Sequence, residues 1–233
     1  TALGGSAFYS NTTGGDNVAS GYRALFSNTT GTENTATGKD ALYGNTTGYA
    51  NVAVGYQTLN LNTTGYNNVA IGQTCLSANT TGRDNTAVGR RSLLGNTTGN
   101  DNAALGLKTL VSNTTGSENT AAGSQALFSN TTGSDNTATG KSALYSNTTG
   151  SYNVAIGTEA LKNITTAANC IGIGPVNSVG TYNPVHDPTT SGNVIVMGNS
   201  NQGNAYINIA WTVTSDERDK MNFAPVPYGL DFV

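Results

Sequence analysis

Small polar and apolar residues alternate along this chain in short bursts, and the bursts recur. NVAVG (51–55), NVAIG (68–72 and 153–157) and NTAVG (85–89) set Asn, Ala and Gly on one side and Val, Ile or Thr on the other. Alternation with period two marks a short β-strand. Each burst follows the tetrapeptide NTTG and precedes a lone Leu. NTTG begins at residues 11, 28, 45, 62, 79, 96, 113, 130 and 147, always 17 residues apart. The unit reads NTTG-xx-N-x-A-x-G-xx-small-L-xx. Nine full copies cover residues 11–163, and TALGGSAFYS (1–10) fits the tail of another. After residue 163 the register decays through ITTAANCIGIG.

A 17-residue unit is too short for helical-hairpin repeats, which need about 33–47 residues. It suits one coil of a parallel β-solenoid, with two short strands and two turns per coil. The expected fold is therefore all-β, a parallel β-solenoid or β-roll of 17-residue coils. Stacking at about 4.8 Å brings identical residues into register. The seventh position is Asn in every copy: Asn17, Asn34, Asn51, Asn68, Asn85, Asn102, Asn119, Asn136 and Asn153. Asn above Asn predicts a hydrogen-bonded ladder. The fifteenth is Leu in every copy: Leu25, Leu42, Leu59, Leu76, Leu93, Leu110, Leu127, Leu144 and Leu161. These predict an apolar spine. NTTG reads as a turn, with Gly supplying a positive φ and Asn and Thr bonding nearby backbone. At this spacing nine coils make a rod of roughly 43 Å.

One coil encloses little. A single Leu and Ala per coil bury too little apolar surface to offset a chain entropy of about 1–2 kcal/mol per residue. Oligomerisation is the natural remedy, and a homotrimeric fibre is the expectation. The Asn/Ala face is assigned to the coil interior and the Val/Ile/Thr face (Val52, Val54, Val69, Ile71, Thr86, Val88) to packing against another chain, although the pattern alone permits the reverse.

The N-x-A-x-G bursts resemble the repeats of trimeric autotransporter adhesin heads. That resemblance covers residues 1–163 and implies a trimeric parallel β-roll. The longer unit and the added NTTG depart from the adhesin pattern.

Composition agrees with turns and short strands. Charged residues are 10% of the chain and Gly is 30 of 233. The net charge of −3, with no basic run, argues against a nucleic-acid partner. No apolar run approaches about 18 residues, so no membrane insertion is expected. Cys75 and Cys170 are too far apart in a stack for an intrachain disulfide. They are either buried thiols or a contact between copies.

Candidate chemistry along the rod is sparse. The sequon N-T-T within NTTG is a potential glycan acceptor, but turn chemistry accounts for it. The sixth position is often acidic (Asp16, Glu33, Asp84, Asp101, Glu118, Asp135). Such a row either forms a solvated edge or holds a cation. Tyr22, Tyr49, Tyr56, Tyr66 and Tyr152 could offer aromatic faces to sugars. His186 has no second His to complete a metal site. No cofactor and no metal are expected.

Residues 164–191 read as a transition loop, and 192–214 as a β-stranded neck. TVTSDERDK (212–220) then concentrates charge. This box, with GLDFV (229–233), resembles the start of the endosialidase-type intramolecular chaperone of phage tail fibres and tailspikes. The resemblance implies that 215–233 begins a C-terminal domain that trimerises the chain and cuts itself off. It makes Ser215 the nucleophile and Lys220 the general base, with Asp216 and Arg218 in support; the family's usual Leu before the Lys is Asp219 here. A buried lysine of lowered pKa can activate a serine. The expected function is thus a structural tail-fibre shaft in a virion, contacting a host-surface glycan or receptor. It would be no enzyme beyond one self-cleavage turnover. The alternative is a trimeric adhesin stalk or head on a bacterial surface.

Overall fold

The structure, a computed structural model, describes residues 1–174 and 189–197. It is all-β. Twelve strands, from β1 (Ala2–Leu3) and β2 (Val18–Ser20) to β10 (Val154–Ile156), β11 (Ile171–Ile173) and β12 (Ile195–Met197), form one parallel sheet in strict chain order. Register follows the repeat: Ala19 pairs with Ala36 and Ala53 with Ala70, always one coil on. Each coil therefore closes directly on its neighbour, as a solenoid must.

The coil interior is made by the positions that never vary. The Ala of each strand, from Ala19 to Ala155, is buried, as is every Leu from Leu25 to Leu161. A small buried residue sits beside each Leu (Ala24, Ala41, Cys75, Ser92), with Thr58 and Thr109 the largest at this place.

Each coil holds one strand, where the pattern suggested two. The other side, from the eleventh to the seventeenth position, is built of turns. Ala24 N–H bonds Gly21 C=O, and Asn28 N–H bonds Leu25 C=O, both at 3.2 Å. The first turn has a positive φ at its third residue, 53° at Arg23, the sign of a type II turn. Leu25 follows at φ 51°, and every Leu of the spine repeats this left-handed conformation. The turns are nonetheless laddered. Leu25 N–H bonds Ala41 C=O, and Ser27 N–H bonds Tyr43 C=O, one coil on.

The Gly of NTTG also differs from expectation. The glycines of positive φ are those of the eleventh position, such as Gly21 at 139°. The NTTG glycines are needed for close approach instead. A Cβ on Gly82 would collide with Gly99 C=O and with the amides of Asn79 and Asn96.

Coil geometry outlasts its sequence signature. Within the stretch expected to be a loop (164–191), β11 pairs with β10 in register. Ile164, Ala167, Cys170 and Gly172 occupy the places of Asn, Gly, Asn and Ala, and the first three are buried hydrophobics. β12 pairs with β11 through Ile171 and Ile195, a separation of 24 residues rather than 17. The remaining neck residues lie outside the described part.

Candidate functional site

Two asparagine ladders run through the rod. In the seventh-position ladder, Asn34 donates both its backbone N–H (2.9 Å) and its side-chain Nδ2 (3.1 Å) to Asn17 Oδ1. The same two bonds recur up the stack at Asn51, Asn68, Asn85, Asn102, Asn119 and Asn136. Asn153 keeps the backbone bond to Asn136 Oδ1 and turns its own Oδ1 to Cys170 N–H. The second ladder is the first residue of NTTG, which sequence reasoning assigned to local turn bonding. Asn45 Nδ2 donates to Asn28 Oδ1 at 2.8 Å and to Gly48 C=O at 3.0 Å. This ladder stops where Ile164 replaces Asn, and Asn147 Oδ1 is left buried without a partner.

The sequon asparagines from Asn28 to Asn147 are thus fully buried and bonded. A glycan on any of them is incompatible with the closed coil. The Thr after each Asn adds a third row: Thr29 Oγ1 donates to Thr46 C=O at 3.0 Å. NTTG is a stacking device, and the signal that could have revealed it was its invariance in every copy.

The surface is where coils differ. Strand residues at the eighth and tenth positions point outward as an uncharged band, with Leu105 57% and Ile156 45% exposed. Near its middle is a hollow of about 290 Å³, lined by Ala103, Leu105 and Ala122 among others. The acidic sixth-position row lies just before the strands. Its backbone is left-handed, φ 55° at Asp16 and 57° at Asp135, a region Asp and Asn tolerate better than most. Among the described residues no group of three or more His, Cys, Asp or Glu could hold a metal ion.

The tyrosines are organised in columns. Tyr9, Phe26 and Tyr43 stack at 5.1 and 5.2 Å between centroids, and Tyr49 stacks on Tyr66 at 4.8 Å. Lys39 sits between the rings of Tyr22 and Tyr56, at 5.9 and 5.8 Å. Arg23 lies over Tyr22 and Tyr43 and pairs with the buried Asp40 at 2.8 Å. That hydrogen bond raises the Arg23 pKa above its ordinary value. Stacked rings present their edges outward, so these columns offer less open aromatic face than isolated tyrosines would. Tyr152 stands 62% exposed.

Both thiols are buried and unpaired by disulfide. Cys75 donates to Ala87 C=O at 3.2 Å, and burial pushes its pKa up to about 12. Neither thiol is placed to meet another copy. Ser215, Asp216, Arg218 and Lys220 lie outside the described residues, as does His186. Among the described residues no helix is long and apolar enough to cross a membrane.

No family model, curated protein or solved structure matches this chain.

Proposed function

We propose that this chain is the structural shaft of a homotrimeric fibre, a tail fibre of a phage involved in host attachment, matured by cleavage at Ser215. The observation that carries the shaft reading is the solenoid itself. Coil after coil repeats one set of buried Asn, Ala and Leu, and the side chains that vary lie mainly at the surface. Such a design makes length and stiffness rather than a pocket. The uncharged outer band of the sheet supports assembly with further copies, because a soluble monomer gains nothing from leaving Leu105, Ile156 and Ile195 in water. The phage setting and the self-cleavage rest on the likeness of the 212–220 box: Ser215 Oγ attacks the Thr214 carbonyl as Lys220 takes its proton, the Thr214–Ser215 amide breaks to leave an ester and a free amine, and water hydrolyses the ester to part the two pieces.

Two measurements test this. Light scattering should give a trimer mass, and a monomer mass would remove the fibre reading. Intact mass of the full-length gene product should show loss of everything from Ser215 onward, while Ser215→Ala retains it. Equal masses for the two would remove the cleavage.

A further inference from the structure

We infer that the uncharged sheet face and the two charged edges beside it form one docking surface for a second copy of this chain, parallel to the first and level with it coil for coil. This rests on the oligomeric rod proposed above and specifies how its copies meet.

The face carries no charge at any eighth or tenth position from Val18 to Ile173. The edge where strands begin bears the acids of the sixth position. The edge where strands end bears bases at the twelfth and thirteenth, with two acids among them, Asp40 and Glu159. The two edges agree coil by coil. Coils with an acid at one edge carry a base at the other: Asp16 with Arg23, Glu33 with Lys39, Asp84 with Arg90. Asp101 with Lys108 and Asp135 with Lys141 continue the series. Coils without the acid also lack the base: Ala50 is matched by Tyr56 and Gln57, and Asn67 by Gln73 and Thr74. Glu118, matched by Ser124 and Gln125, departs from the rule.

Within one chain these pairs cannot meet, because the strand lies between them. Among the described residues the ion pairs that do form are Arg23–Asp40, Arg83–Asp84 and Lys162–Glu159, and none crosses the face. Arg23 is thus already matched by Asp40 inside the rod, whereas Lys39, Arg90, Lys108 and Lys141 make no ion pair among the described residues. A rotation axis parallel to the rod gives the coil-by-coil match a use. It sets the strand-start edge of one copy against the strand-end edge of the next, at the same level. Slipping by one coil would set Asp135 opposite Gln125 or Glu159. Reversing one rod would set the coil of Asp16 against that of Thr158 and Glu159. Exposed ion pairs add little affinity, so the edges choose register and polarity while the apolar face supplies the attraction. Leu105, projecting beside the hollow at Ala103 and Ala122, adds a steric key of the same kind.

Disulfide trapping in the intact chain tests the register. The double variant Asp135→Cys/Lys141→Cys should give a covalently linked oligomer under oxidation. The offset pair Asp135→Cys/Lys108→Cys should give none. Linkage of the offset pair, or absence of intermolecular linkage in the matched pair, overturns the inference when light scattering still shows an oligomer; the fibre reading then survives. A monomer overturns both. Charge reversal supplies a second readout should the cysteines disturb folding. Lys141→Glu should weaken assembly about tenfold, and adding Asp135→Lys should restore it. No loss, or no rescue, counts against the inference.

Discussion

Asn34 and Asn45 stand on separate runs of the chain, yet both donate their side-chain amides to one carbonyl, that of Gly48, at 2.8 and 3.0 Å. From Gly31 to Gly150 each NTTG glycine is thus the rung that joins the two ladders. The space of the missing side chain at Gly48 is filled by Gly65 C=O, Asn45 Oδ1 and Asn62 Nδ2, which link Gly48 to the next coil.

Removing a rung from the middle should therefore be costly. Asn85 Oδ1 accepts from Asn102 N–H and Nδ2, and Asn85 Nδ2 reaches Gly99 C=O. Asn85→Ala orphans the buried Asn102 N–H and should cost about 3 kcal/mol in urea unfolding. Asn147→Ala should cost about 1 kcal/mol less than Asn96→Ala, because Asn147 Oδ1 has no partner to lose.

Glycines divide by the room around them. A Cβ on Gly116 would meet Gly133 C=O and the side chains of Asn113 and Asn130. Gly116→Ala should prevent neighbouring coils from closing and lower the urea midpoint sharply. Gly15 has nothing within 4 Å. Gly15→Ala should be neutral, or stabilising by about 0.4–1 kcal/mol through the unfolded chain.

The Cys75 thiol predicts an alkaline weakness. Its pKa rises from an ordinary 9.0 to about 12 in the fold, chiefly through burial. Above the ordinary value the unfolded chain releases a proton that the folded chain keeps. Stability from this group is therefore full below pH 9 and is lost as pH rises toward 12, with a limiting slope of about 1.4 kcal/mol per pH unit. Cys75→Ala, the residue that Ala24, Ala41 and Ala126 supply at this place in other coils, should flatten that part of the profile. The native thiol should resist alkylation until urea opens the coil.

Backbone strain marks a site for stabilisation. Ala50 holds φ 52° without a side chain that favours this region. Ala50→Gly should raise stability by about 0.5–1 kcal/mol, the left-handed penalty less the entropy of glycine. Thermal unfolding would read the change.

The period, the strand and the buried Ala and Leu were legible because a two-residue alternation repeated in register leaves few alternatives. The second strand was a misreading of G-x-x-small-L, which has no period of two. Leucine disfavours a left-handed φ, so nothing local announces that Leu25 adopts one; burial in the spine overrides the preference. The ladder of Asn28 and Asn45 hid behind the ordinary use of Asn in turns. Cys170 and Gly172 broke the motif yet keep the coil, since backbone pairing to β10 needs no particular side chain. The charged edges were read one at a time, and their coil-by-coil agreement emerges only when the strand face is set between them. Ser215 and Lys220 carry no geometry, and their role rests on the sequence likeness.

Both ladders run one way. In each link the amide N–H belongs to the later coil and the accepting oxygen to the earlier one, as in Asn28 to Asn11 and Asn34 to Asn17. The side-chain dipoles therefore add along the stack rather than cancel. The ladders are an arrow: each Asn side chain presents its donors toward residue 1 and its acceptor away from it, while the Thr row beside them runs in the opposite sense. A coil entering the stack upside down would set oxygen against oxygen. Growth of such a stack is directional, like that of a polar crystal, and an inserted or deleted repeat is tolerated only if it keeps that sense.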